Sequence, residues 1–248
     1  GMRRMLCPDV KREYQGYMCW RGTVREDKIA SLDEEINKQY LEKATFHLMN
    51  QNYLINYTIP TDAGDIEQGK RLHNWLWYSK MPEGSPEMDE LFTDVNGVSH
   101  HGTVPRGLIR PEKWEAQKAL AQRVLPAGLA TIVQNSRAPF VTKIYDVMTN
   151  KATFFDGKVF MIGDAQVTIR PNVGMGTTHA ANDILELEKV IEGTATAEQW
   201  EKTCLAWDAA QRRFAMAVTS YGLDSTPSLI WNGLAYFGLL AGQKIGVF

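Results

Sequence analysis

The sequence has few cysteines, no surplus of either charge and no clean apolar run of membrane length. Its three cysteines, Cys7, Cys19 and Cys204, include no C-x-x-C pair. A disulfide framework or a thiolate zinc site is therefore not expected, and a reducing, cytoplasmic setting is. Charge is nearly balanced, with 27 Lys and Arg against 29 Asp and Glu, so there is no electrostatic footprint for nucleic acid or an anionic membrane. The adjacent histidines His100 and His101 have no cysteine or acid at ligand spacing. Neighbouring side chains in an extended segment point apart, so no metal site is expected there. No Ser-His-Asp or Cys-His order suggests hydrolysis. The most apolar stretch, Leu229 to Phe248, is interrupted by Asn232, Gln243, Lys244 and four glycines. It reads as a packed C-terminal helix and loop rather than a membrane span. The N-terminal residues hold no apolar run of signal-peptide length.

What remains is an ordinary globular composition, 44% hydrophobic over 248 residues, enough for a sizeable core. Asn52 to Ile59 and His73 to Ser79 alternate like strands, and Gly16 to Val24 and Thr45 to Met49 are plausible partners. Ser31 to Lys43 reads as a helix between them. The four segments predict an antiparallel sheet with one face packed and the other free to line a pocket. Ser85-Pro86-Glu87 opens a short helix through Phe92. Asp94 to Gly97 is a turn, Pro111 starts a helix closed by Pro126, and Phe140 to Met148 returns as a strand.

From Phe155 the character changes. A turn at 155–158 precedes Val159 to Ile162, a continuously apolar run with the look of a strand buried on both faces of a parallel sheet. Gly163-Asp164, a loop and a helix from Thr177 to Ile191 follow, ended by Gly193. A last helix opens at a capping box, Thr196 to Gln199, carries Trp200, Cys204, Trp207, Phe214 and Val218 on one stripe, and ends at Gly222. The expected fold is α+β, in part α/β, with a sheet-and-helix domain over 1–155 and a strand-helix domain over 156–248. A buried parallel strand needs parallel neighbours, and the chain offers few.

Lys158 to Asp183 carries the chemistry. A strand delivers Gly163 and Asp164 to a sheet edge, where open α/β sheets bind ligands. Pro171, seven residues after Asp164, stiffens the loop. Gly174-Met175-Gly176 then leads into a helix whose first amides, at Thr177 and Thr178, face outward with the positive end of the dipole. Such a unit suits a ligand with hydroxyls at one end and an electron-rich region at the other. On spacing alone, a plain strand-loop-helix connection stays open.

The order G-D-A-x-x-x-x-R-P-x-x-x-x-G-T-x-x-A-x-x-D over Gly163 to Asp183 resembles the second FAD-binding motif of the flavoprotein aromatic hydroxylases, the p-hydroxybenzoate hydroxylase class. It is more closely similar to the 2,6-dihydroxypyridine hydroxylase branch. Tyr14 to Gly22 resembles that branch's Y-x-G-Y-x-x-W-R-G strand. Val104-Pro105 with Gly107, Leu125-Pro126, Ala138 to Val141, Ile144 and Asp146 fall in matching order. The resemblance implies that Asp164 binds the ribityl hydroxyls of FAD. Pro171 would lie near the isoalloxazine ring, and Gly163, Gly174, Gly176, Thr177 and Thr178 would complete the contact. It also implies NAD(P)H and O2 as co-substrates and a phenolic or hydroxylated N-heteroaromatic ring as substrate. In the resembled family the substrate sits between this sheet and the flavin, which nominates His47 and Tyr53 as polar groups toward it. No catalytic residue is assigned.

Three positions depart from the pattern: Gln166 for alanine, Asn172 for histidine and His179 for lysine. The family's N-terminal G-x-G-x-x-G unit does not occur in this sequence. The chain is therefore expected to be a C-terminal portion, inactive by itself, that works as a homodimer or with a separate N-terminal chain. The alternative is a non-catalytic binding module that has lost flavin.

Overall fold

The computed structural model describes residues 1–224 and 226–244. They form two compact units, one of residues 16–144 and one of residues 1–15 with 145 onward. The second unit resumes at 145 rather than at the expected 156, and it also takes in the first fifteen residues. The class is α+β: helices and a mainly antiparallel sheet.

The 16–144 unit is built on strands β1 (Glu13–Arg25), β2 (Thr45–Met49), β3 (Asn52–Ile59), β4 (Leu72–Lys80), β5 (Thr103–Val104) and β6 (Phe140–Met148), in the order β2-β3-β4-β1-β6-β5. Helices α2 (Glu26–Ala30), α3 (Glu34–Tyr40), α4 (Pro86–Leu91), α5 (Pro111–Val124) and α6 (Ala127–Gln134) complete it. The 31–43 helix is shorter than expected. Asp33 caps α3 through Glu35 and Ile36 amides, and Ser31 belongs to the turn before it. Ser85 caps α4 as expected, its Oγ accepting from the Met88 amide. Helix α6 was not foreseen: Ala-Gly-Leu-Ala-Thr-Ile-Val-Gln is short and rich in residues that also suit strands.

Alternation promised one free face, and the structure corrects this. His73 to Tyr78 are all buried, as are Tyr53 to Asn56. On one face Trp20, Trp75 and Trp77 lie together, and Trp114 of α5 stacks on Trp75 at 6.2 Å and meets Trp20 at 5.8 Å. On the other, Phe46, Tyr53, Tyr78 and Tyr17 form an aromatic row with centroid spacings of 6.4, 4.8 and 6.1 Å. Aromatics on both faces conceal the period that polar residues would have shown.

Gly22 lies opposite Trp75 in the β1–β4 pairing. A Cβ there would stand 2.6 Å from the Trp75 ring. Gly22→Ala is accordingly expected to cost about 1–3 kcal/mol of stability, the usual range for overpacking a filled core. Urea unfolding checks it.

In the other unit, α1 (Met2–Leu6) precedes the strand pair β7 (Thr153–Phe154) and β8 (Val159–Phe160), then β9 (Val167–Thr168) and helices α7 (Gly176–Ile191), α8 (Ala197–Leu223) and α9 (Thr226–Lys244). The 159–162 run is not a buried parallel strand. Only Val159 and Phe160 are in a strand, antiparallel to β7, and both are half-buried. No parallel partner is present among the described residues, and the run packs on helices instead: Phe160 meets Trp200 edge-on at 4.9 Å. Glu201 of α8 fastens β7 by accepting from the Ala152 and Thr153 amides at 2.5 and 2.6 Å. The capping box is present, with Thr196 and Gln199 bonding each other's backbone. Helix α8 runs through Gly222 to Leu223 rather than stopping there. Its buried stripe is Trp200, Cys204, Asp208, Ala215, Thr219 and Leu223, whereas Phe214 is exposed. The C-terminal helix forms as expected and packs on α8, where Asn232 bonds Ser220 and Arg213. Residues 245–248 of the expected final loop lie outside the described residues. No described helix is long and apolar enough to cross a membrane.

Candidate functional site

The site is the turn that links β8 to α7. Gly163 has a φ of 57°, in the left-handed region, and its Cβ would stand 3.3 Å from that of Ala180. Both conditions call for glycine. Its N–H donates to Asp183 Oδ2 at 2.8 Å, so the first turn of the site is tied to the second turn of α7. Arg3 of α1 straps the same turn, donating to the carbonyls of Asp164 at 2.5 Å and Ala165 at 2.9 Å.

Two sides of this turn differ sharply. Asp164, Pro171, Gly174, Gly176, Thr177 and Thr178 are exposed. Asp164's carboxylate has no ion-pair partner among the described residues. Gly174, at φ 65°, and Gly176 have open space where a Cβ would point. The bond from the His179 N–H to the Met175 carbonyl, 2.8 Å, opens the α7 ladder. The amides of Gly176, Thr177 and Thr178 precede it and have no intrahelical acceptor. The exposed residues thus offer a carboxylate at Asp164 and, at the start of α7, three backbone donors with a positive helix end.

The other side is buried and polar, and it contains the three departures. Gln166 donates from Nε2 to Asp208 Oδ2 at 2.5 Å. Asn172 donates to Thr219 Oγ1 at 3.0 Å. His179 places Nδ1 2.7 Å from Asp208 Oδ1 and Nε2 3.6 Å from Asp183 Oδ2. All three reach inward, toward α8 or along α7, and none takes anything from the exposed surface. His179, Asp183 and Asp208 come within 4.8 Å of one another. The short contact and complete burial are those of a buried ion pair. Burial opposes charge on His179, but Asp208, Asp183 and the Gly163 carbonyl outweigh it and raise its pKa to about 9. Burial also pushes the Asp208 carboxyl up.

Asp208 was missed from sequence. Its signal was an acid on the buried stripe of α8, four residues after Cys204.

The register separates the two nominated substrate residues. His47 lies opposite Leu54, and Tyr53 lies opposite Leu48. They point to opposite faces of the sheet and do not converge. Tyr53 is 1% exposed, with its ring between Phe46 and Tyr78. His100 has an acid partner after all, Asp94 Oδ2 at 2.8 Å. The 94–97 turn brings the chain back onto itself, which linear spacing concealed. The carboxyl of Asp94 is held below its usual range, first by that histidine contact.

Comparison with known proteins bears on all of this. A family model described as FAD binding domain-like matches residues 14–146, more than half of the chain. The chain belongs to this FAD-binding family. Within it, the chain is 30% identical over 181 residues to the 2,6-dihydroxypyridine 3-monooxygenase of Paenarthrobacter nicotinovorans, covering 73% of this chain and 43% of that protein. The solved 2,6-dihydroxypyridine-3-hydroxylase of Arthrobacter nicotinovorans matches with a TM-score of 0.76 at 26% identity, over 92% of this chain and 58% of that one. A salicylate hydroxylase substrate complex matches at 14% identity with a TM-score of 0.55, over 96% of this chain and 55% of that one, which shows the shared fold alone. The chain spans about half the length of these relatives. The family match ends at Asp146 and so does not itself include the turn at Gly163.

Proposed function

We propose that this member of the FAD-binding family is the substrate-domain and C-terminal portion of a flavin-dependent monooxygenase that hydroxylates a phenolic or hydroxylated N-heteroaromatic ring. The observation that carries the reading is the two-sided turn. Its exposed residues include a carboxylate outside any direct ion pair and three amides without intrahelical acceptors, while its departures from the family pattern are confined to the buried side.

The residues fit FAD. Asp164 would accept hydrogen bonds from ribityl hydroxyls. Gly174 and Gly176 leave room for a flat ring to approach the backbone, and Pro171 would lie beside it. Bound FAD, reduced by NAD(P)H, would supply the oxygen-activating chemistry. The amides of Gly176, Thr177 and Thr178 and the α7 dipole would stabilise negative charge on the cofactor's pyrimidine edge. The substrate is a small aromatic molecule. The remaining nucleotide-binding surface comes from a longer form of the chain, a second copy or a separate N-terminal chain, in a cytoplasmic setting.

Flavin fluorescence titration tests the proposal. The chain is expected to quench FAD on binding, and Asp164→Ala to weaken the affinity at least tenfold, about 1.4 kcal/mol. Equal affinity of the two proteins would remove Asp164 from the site. Absence of binding by both would leave the non-catalytic binding-module reading.

A further inference from the structure

We propose that His179 is a positioning residue, a cationic clasp that holds the Gly163–Asp164 turn against α7 and α8 and thereby sets the orientation of Asp164. The inference rests on the flavin reading only for its consequence in FAD binding. The clasp itself is carried by geometry.

The imidazole of His179 is fully buried and lies parallel to the Trp207 ring, at 5.9 Å and 11°. Each contact it makes leads back to the turn. Asp208, 2.7 Å from Nδ1, also accepts from Gln166, two residues beyond Asp164. Asp183, 3.6 Å from Nε2, accepts the N–H of Gly163, the residue before Asp164. The Gly163 carbonyl accepts from the Gln166 amide at 2.9 Å and itself favours charge on the ring. Trp200 Nε1 fixes the Asp183 backbone carbonyl at 3.0 Å. Asp164 is thus bracketed by Gly163 and Gln166, and both are anchored to carboxylates that His179 bridges.

Charge makes the bridge necessary. The titratable groups facing the ring are Asp183 from α7, and Asp208 and Cys204 from α8; Gln166 and Trp207 are neutral. Burial and the two carboxylates push the Cys204 thiol up, so it stays protonated and contributes no charge. With a neutral imidazole, two carboxylates would share a dry pocket with no counter-charge, which is costly. The folded-state pKa of His179, about 9, lies above its ordinary 6.5. Its stabilisation is therefore complete below about pH 6.5 and is lost as pH rises through about 9.

The test compares wild type with His179→Lys, which keeps the charge, and His179→Gln, which removes it. Hydrogen-exchange protection of residues 159–170, corrected for intrinsic exchange, is followed from pH 7 to 9.8 beside FAD titration. In wild type, protection is expected to fall at least tenfold across that range, with FAD affinity following it. The lysine variant should hold its protection to higher pH, and the glutamine variant should be poorly protected already at pH 7. Should the lysine variant fail to fold, the contrast between wild type and glutamine decides. A glutamine variant with wild-type protection and the wild-type pH profile would overturn the clasp. Wild type that shows the protection profile yet binds no FAD at any pH would support the clasp and count against the flavin reading. FAD binding that is unchanged by glutamine would do the reverse.

Discussion

Asp146→Ala is expected to lower the unfolding free energy by about 3–5 kcal/mol, the cost typical of removing one partner from a buried charge cluster. Asp146 is fully buried near the end of β6. Its Oδ2 accepts from Arg170 Nε at 3.1 Å, and its Oδ1 accepts from Gln15 Nε2 at 2.8 Å and Arg212 Nη2 at 3.2 Å. Arg170 also donates to the Gln15 carbonyl oxygen of the side chain. One carboxylate therefore joins β1, β6, α8 and the loop that carries Pro171. Alanine takes the carboxylate away from the Arg170 guanidinium, itself 7% exposed, and from Arg212. Asp146→Asn keeps the shape and one acceptor oxygen and should lose less. Urea titration at low and high salt separates this from a surface effect. A buried cluster is screened little, so the loss should persist in salt. A loss under about 1 kcal/mol that vanishes in salt would place the cluster among exposed ion pairs.

Much of this architecture was legible in the sequence, wherever a local signal and the tertiary outcome agree. The turn at Asp94, the Ser85 cap and the Thr196 capping box are local devices, and each sits where its residues place it. The strands β2, β3 and β6 have the bounds that their patterns imply. Failures came where burial depends on distant segments. Val159 to Ile162 is apolar because helices cover it, not because strands flank it on both sides. Tyr53 is a polar-tipped residue that packs as an aromatic, and His47 faces away from it, because register is set by the whole β2–β3 pairing. The partners of Asp208 and Asp146 were beyond local reading for the same reason. An acid's partners can lie far away in sequence: Asp208 pairs with His179, on the preceding helix.

The candidate site shows the same division in a sharper form. Its exposed half is a matter of short-range spacing, glycines and a helix start, and each of those residues is exposed. Its buried half consists of substitutions that only the fold can pair. Gln166 and His179, read separately, are two losses from a family pattern. Read together with Asp208 they are one network. These groups meet beneath the turn through the Gln166–Asp208 hydrogen bond and the close approach of His179 to Asp208. The buried pairing by itself does not show flavin binding, which makes the Asp164 titration the decisive measurement for function.

In the 16–144 unit the largest effect is expected from Trp75→Ala, about 3–5 kcal/mol as for other buried aromatics. Trp75 has no exposed surface, stacks on Trp114 at an interplanar angle of 8°, and donates from Nε1 to Ser136 Oγ at 2.5 Å. Trp75→Phe removes the N–H and the outer part of the indole but keeps a ring against Trp114. It should cost less than alanine, because a ring still fills most of the site. The informative measurement is the cycle with Gly22→Ala. The alanine methyl would meet Trp75 first at Cζ2, an atom phenylalanine lacks. The two penalties should therefore not add. Trp75→Phe should absorb much of the strain from Gly22→Ala, with a coupling of about 1 kcal/mol or more. Simple additivity in urea unfolding would mean that the strand shifts to relieve the contact. Strong coupling would mean that Trp75 fixes how closely β1 and the helix above it approach, which makes the sheet a rigid platform rather than an adaptable one.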